Sequence, residues 1–401
     1  MLTEQITIPA ALQIVIDDVG WMIGNDMRWE DEPSRTGIPR RHVLADYQML
    51  EELGKSLDMK LLCPFVIGEW DRNNILRRLP DASKFGRDWD SALYLRSDEA
   101  ATFRDFLNQV EHIEIALHGL LHDRWHDGKL VGPREFYVPE GNIKNAPETL
   151  APENVIKAHL DAFFEIYDTW GFNQTIRSFA SPSGSYGDSW KTDNLARILS
   201  EYGIKYWCNT GFDECLVRNG IIINKKDITL APWEAYDLDP TAMSDFDPGQ
   251  AGIVGGHWPN FLKFNPAKNL DNLPSWTEFF RRQGELFGII LAKDFSFASH
   301  QQLYKNMAEL HFADGLCVID LGKVDNQGAA EMPQPIYISV KKGLAPKFCT
   351  GGLLEIYEYH REFCHYRIRR TKETIIKISL RPDDNTTSRK VHPARESVEQ
   401  S

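Results

Sequence analysis

Leu12 to Ile16, Lys60 to Gly68 and Ile113 to Leu117 are short apolar runs of strand length. The stretches between them carry helical spacing: Val43, Tyr47, Leu50 and Leu53 in the first, Ser97 to Val110, with Ser97 as N-cap, in the second. Strand, helix, strand in that order predicts an α/β fold on a parallel sheet, because parallel neighbours need a crossover long enough to hold a helix. The alternation continues with helices over Pro152 to Trp170, Leu195 to Tyr202, Ser275 to Phe287 and His300 to His311. Further strands are expected at Ile176 to Ala180, Ile204 to Cys208, Ile221 to Ile223, Thr229 to Trp233 and Gly252 to His257, with Leu316 to Leu321 as the last of the series. Glu69 to Asp98 is rich in charges and aromatics without a period, and reads as an excursion over one face. From about Gln334 the helices give out, and Ile336 to Val340, Leu353 to Tyr359 and Thr374 to Leu380 read as antiparallel strands. The expected organisation is therefore a main domain over residues 1–330, a small β appendage over 331–381 and a disordered tail over 382–401.

A chain of 401 residues can bury a large core. Its net charge of −13 and the lack of any basic run argue against a nucleic-acid backbone or an anionic membrane as partner, and leave a neutral or cationic small molecule, or a sugar. No stretch approaches the roughly 20 apolar residues of a membrane helix, and Met1 to Ala10 has no signal-peptide core, so the expected location is cytoplasmic. The six cysteines form no Cys-x-x-Cys pair, and Cys63, Cys208 and Cys317 lie in apolar runs as reduced, buried thiols would.

Ionisable side chains gather where the apolar runs end. The first run stops at Asp17-Asp18, the third at His118 and His122, and Gly252 to Gly256 at His257. In α/β folds the C-terminal ends of the strands carry the chemistry, although an Asp pair there also serves as a helix cap. Four residues on one helical turn would bring the two imidazoles of His118 and His122 to a common cation, with Gly119 letting the backbone pass close by; His126, four residues further, competes with His118 as partner. Ser181-Pro182-Ser183-Gly184 is a tight loop that can present backbone N–H groups, from Ser183 to Tyr186, to an oxyanion.

Asp17-Asp18, His118-x-x-x-His122, the Ser-Pro-Ser-Gly loop and the strand-end His257 together resemble the polysaccharide deacetylase family, carbohydrate esterase family four, over about Leu12 to Leu321. The resemblance implies a distorted (β/α) barrel with a divalent metal, commonly zinc, at its C-terminal face. It makes Asp17 the catalytic base, Asp18, His118 and His122 the metal ligands, and His257 the general acid, with His300 as a rival acid. The chain departs from the family pattern at Ala180, where an arginine normally pairs with the base; Arg177 lies three residues away, and Trp207 is a candidate for the family's tryptophan motif. The implied activity is removal of N-acetyl or O-acetyl groups from a carbohydrate substrate. Trp21, Trp125, Tyr186 and Trp258 would then stack on sugar rings. Two other readings are a metal-dependent amidohydrolase acting on a small non-carbohydrate amide and a carbohydrate-binding protein whose site has decayed.

Overall fold

Ala11–Asp17 (β1) is buried along its whole length, as a parallel strand covered on both faces must be; it is apolar from Ala11 to Ile16 except at Gln13, whose buried amide donates to Lys60 O at 2.8 Å. In the computed structural model, which describes residues 5–24, 36–139, 148–183, 189–209, 215–225, 228–247, 252–313, 316–329 and 335–382, β1 lies near one end of a ten-stranded sheet. The other strands are Leu61–Phe65 (β2), Ile113–Leu117 (β3), Ser178–Ala180 (β4), Tyr206–Asn209 (β5), Leu216–Arg218 (β6), Ile221–Lys225 (β7), Ile228–Thr229 (β8), Ile253–His257 (β9) and Ile290–Leu291 (β10). Their order is β6-β7-β5-β4-β3-β2-β1-β9-β8, with β10 also pairing β1. Every ladder is parallel except β6 with β7. The unit is thus mixed α/β.

Leu44–Leu57 (α1), Ser97–Leu107 (α2), Glu153–Trp170 (α3), Ser189–Glu201 (α4), Leu273–Phe287 (α5) and Phe295–Met307 (α6) supply the helices. Gly171 at φ 67° closes α3, where a residue with no Cβ adopts the left-handed cap at no steric cost. Ser97 is the first residue of α2 rather than its cap, which is Arg96. The helix expected from His300 begins earlier than its apolar spacing suggested, at Phe295. Asp294 is its N-cap, its Oδ1 accepting from Phe297 N at 2.7 Å, so His300 sits in mid-helix and not at a cap.

The described residues divide into two compact units, one drawn from 9–308 and 323–334 and the other from 1–8, 309–322 and 335–401. The second holds two antiparallel four-stranded sheets. One runs Ile6–Thr7, Ile336–Lys341, Phe363–Arg370, Gly352–Tyr359; the other Glu309–Ala313, Leu316–Asp320, Ile375–Pro382, Leu344–Thr350. Leu316 to Leu321 is therefore not the closing strand of the parallel sheet. Its burial alternates along the strand, as in a half-covered antiparallel sheet, and a five-residue apolar run does not reveal which kind it joins. The expected helix over His300 to His311 likewise stops at Met307 and gives way to the strand Glu309–Ala313. The tail 383–401 lies outside the described residues. Among the described residues no helix is long and apolar enough to cross a membrane. Cys63, Cys208, Cys215, Cys317 and Cys364 are buried thiols.

Glu114 on β3 is half-buried. It accepts from Ser178 Oγ at 2.9 Å, and burial, with Asp294 nearby, pushes its carboxyl up to about 7. An acid whose pKa rises on folding loses stability as pH climbs from its unfolded value, about 4.3, through that folded value. Glu114→Gln, which copies the protonated form, is expected to raise the unfolding midpoint by several degrees at pH 8 and to change it little at pH 4. Equal shifts in thermal melts at the two pH values would refute this.

Candidate functional site

The chain kinks at the end of β1. Asp17 ends the strand, Asp18 takes the left-handed conformation at φ 64°, and Val19 returns to the ladder, its N–H donating to Pro64 O at 3.1 Å and its carbonyl accepting from Val66 N at 2.8 Å. Aspartate tolerates this backbone better than most residues, and such strain recurs at functional sites. The kink brings the Asp18 carboxylate beside two imidazoles.

His118 follows β3 directly, its N–H donating to Phe65 O at 3.2 Å. Its Nδ1 lies 2.8 Å from Ala180 O at the end of β4. A carbonyl can only accept, so Nδ1 carries the proton and the Nε2 lone pair points away, 3.5 Å from Asp18 Oδ1. His122 is left-handed as well, at φ 68°, and its Nε2 accepts from Ser183 N–H at 3.2 Å while lying 3.9 Å from the same Asp18 oxygen. Both Nε2 atoms thus stand within 4 Å of one Asp18 oxygen, at 3.5 and 3.9 Å.

These three buried residues each offer one donor atom, all within 4.8 Å of one another. Asp18 Oδ1 is itself buried and receives no hydrogen bond among the described residues. Zinc bonds of about 2.1 Å in a tetrahedron set donor atoms about 3.4 Å apart, close to the separations found here. One carboxylate oxygen with two imidazole nitrogens suits zinc and its first-row neighbours better than calcium or magnesium, which prefer all-oxygen sites. The group can hold a divalent cation.

The electrostatics agree. Burial by itself would raise the Asp18 carboxyl, but His118, His122 and His257 hold it far below the usual carboxylate range. For His118, burial opposes a charge, yet the carboxylates of Asp18 and Asp17 outweigh it and raise the imidazole above its ordinary value. Positive charge is therefore favoured at the point the three residues face.

β9 lies beside β1 with His257 paired directly to Asp17, and paired residues of parallel neighbours show their side chains on one face. The His257 backbone is held by a residue the sequence reading missed. Asn260 Oδ1 accepts His257 N–H at 2.8 Å, and Asn260 Nδ2 donates to Pro232 O and Ala235 O. An asparagine three residues past a strand-end histidine, after a proline, is a capping pattern that could have signalled it.

Several expectations are corrected. His118 and His122 do not share a helical turn: residues 118–123 form a bend, with Gly119 at φ 104°. His126, expected to compete for the cation, is exposed at the end of a hairpin strand, Arg124–His126, beside Asp127. Trp258 is fully buried, its ring stacked on His42 at 3.8 Å, and Trp21 and Trp125 are buried too, so these three are not surfaces for a sugar. Tyr186 lies outside the described residues. The Ser183 N–H, expected at an oxyanion, is directed at His122. His300 hydrogen-bonds Ser296 O through Nδ1 and packs its ring on Tyr206. Arg177 lies over the Tyr206 ring, and Ala180 serves the site through its carbonyl. Trp207 is buried with Nε1 donating to Ser181 Oγ at 2.8 Å.

No family model matches the chain, and no curated protein matches it. Among solved structures it is similar to the 4-alpha-glucanotransferase of Thermococcus litoralis, with a TM-score of 0.37 and 14% identity over 72% of this chain. The likeness spans 40% of that enzyme's length. It is also similar to a protein of Parabacteroides distasonis provisionally named a glycoside hydrolase/deacetylase, with a TM-score of 0.41 and 11% identity over 84% of this chain and 82% of that one. Likenesses this distant carry no argument about this chain's activity, which rests on its own residues.

Proposed function

We propose that this chain is a metal-dependent hydrolase of the polysaccharide deacetylase type, built on a (β/α) barrel, that removes N-acetyl or O-acetyl groups from a carbohydrate. The observation that carries this reading is the buried Asp18, His118 and His122 group standing beside Asp17, which is itself in register with His257. Asp18, His118 and His122 hold the cation, zinc by the chemistry of the donors. When bound, it supplies a Lewis acid for an acyl carbonyl.

The remaining roles fall to residues that do not hold the cation. Asp17 is a carboxylate at a strand end and takes a proton from the water that attacks the acyl carbon. His257 shows its side chain on the same face of the sheet and gives a proton to the departing amine or alcohol as the acyl bond breaks. Acetate and the deacetylated sugar are the products. The buried walls at Asp17, Asp18, His118 and His122 keep bulk water from these charges, so their interactions are stronger than at a surface.

A second reading has an observation in its favour. Burial of Trp21, Trp125 and Trp258 removes three of the aromatics that would have stacked on sugar rings, which suits a small non-carbohydrate amide. Acetate release from acetylated oligosaccharides and from small acetamides, each with added zinc, cobalt or manganese, separates the two. Metal-dependent release from the sugars is the expected result. Release from small amides alone would move the substrate class, and sugar binding without release from either set would point to a carbohydrate-binding protein.

A further inference from the structure

The bend that carries both histidines is pinned on two sides. Towards the sheet, Gly119 O and Leu120 O accept from Ile67 N at 3.3 Å and Gly68 N at 2.6 Å. On the other side, Leu120 N–H donates to Glu135 Oε2 at 2.7 Å. Glu135 presses so closely on the backbone that a Cβ on Gly119 would stand 2.3 Å from the same oxygen.

Glu135 is not a lone acid. Its Oε1 lies 2.9 Å from Nδ1 of His159 on α3, whose Nε2 lies 3.2 Å from Asp81 Oδ1. Asp81 Oδ2 pairs with Arg124 Nη2 at 2.6 Å, and Arg124 Nη1 donates to the Glu135 carbonyl at 3.2 Å. Glu135, His159 and Arg124 are buried and Asp81 is three-quarters so. Four segments distant in sequence thus close a ring: the excursion through Asp81, the hairpin at Arg124, the turn at Glu135 and the helix α3. Burial opposes a charge on His159, but Asp81 and Glu135 overcome it and push the imidazole up to about 9.

The ring ends on the backbone N–H of Leu120, midway between His118 and His122. We propose that Glu135 is a positioning residue for the cation site, holding the bend from His118 to His122 in its binding geometry, and that His159, Asp81 and Arg124 keep the Glu135 carboxylate aimed at Leu120 N–H. This rests on the reading of Asp18, His118 and His122 as cation ligands. Groups that orient ligands typically alter metal affinity by about 10- to 100-fold when removed.

The test is zinc titration of the full chain against a competing chelator, with Asp18→Asn as the site control and cooperative thermal unfolding as the check on folding. Glu135→Ala is expected to weaken zinc binding by about 10- to 100-fold in the folded protein. Glu135→Gln should recover most of the affinity, because its amide oxygen can still accept from Leu120 N–H while its N–H₂ donates to a neutral His159. A purely structural role would lower the unfolding midpoint of both variants and leave the zinc affinity of the folded protein unchanged; that result overturns the inference. If Glu135→Ala does not fold, Asp81→Asn takes its place, with a measurable weakening of zinc binding expected and an unchanged affinity overturning the inference. Wild-type protein that binds zinc no better than Asp18→Asn overturns the site itself, an outcome distinct from a wild-type site indifferent to Glu135.

Discussion

Asp18→Asn is expected to abolish stoichiometric binding of a divalent cation and to reduce hydrolysis on the order of 10³-fold, roughly 4 kcal/mol of transition-state stabilisation. The substitution keeps shape and backbone, since asparagine accepts the left-handed conformation that Asp18 holds at φ 64°. What it removes is the negative charge that His118 and His122 face at 3.5 and 3.9 Å. Loss of function with the fold intact therefore reports on the cation and not on the chain. Elemental analysis and a zinc titration on the purified variant are the measurements, and a variant that still binds one zinc with wild-type affinity defeats the assignment. The pH dependence has a definite sign. Asp18 and Asp17 raise the proton affinity of His118, so protons compete with the cation from above the ordinary imidazole range downward, and apparent zinc affinity should fall as pH is lowered through neutrality.

Asp17→Asn is expected to behave differently although its neighbour in sequence is the proposed ligand. Asp17 ends β1 in register with His257, and it is Asp18, after the kink, that turns to the histidines. Removing a general base costs about 10²- to 10⁴-fold in rate, so acetate release should fall by that factor while zinc affinity stays within a few-fold of wild type. The pair of results separates the roles. Retained hydrolysis in Asp17→Asn would remove it as the base, and joint loss of zinc and activity would make it a ligand.

Much of this site was legible from residue types alone. A parallel strand covered on both faces is mostly apolar, so β1, β2 and β3 announced themselves in spite of Gln13 and Glu114, and a charged pair closing such a run has little to do but chemistry or capping. Other features were closed to that kind of reading. A His-x-x-x-His spacing is the same on a helix and in a bend; Gly119 at φ 104° and His122 at φ 68° decide for the bend, and both depend on contacts with Phe65, Gly68 and Glu135. Aromatic residues near a motif look alike whether they face a ligand or the core, and only the stacking on His42 shows that Trp258 is core. Leu316–Asp320 failed for a similar reason, since a short apolar run says nothing about its partner strands.

The sequence by itself determined which donors exist and that Asp17-Asp18, His118 and His257 stand at the ends of strands, because apolar periodicity is local and survives without knowledge of the fold. How they are aimed depends on contacts between distant segments. The proton on His118 Nδ1 is placed by the carbonyl of Ala180, 62 residues away, and the bend between the two histidines is held through Glu135 by a ring that also takes in Asp81 and His159. Hydrogen bonds of that span form only when the sheet has already brought its strands together, and no residue in the run from His118 to His122 encodes them.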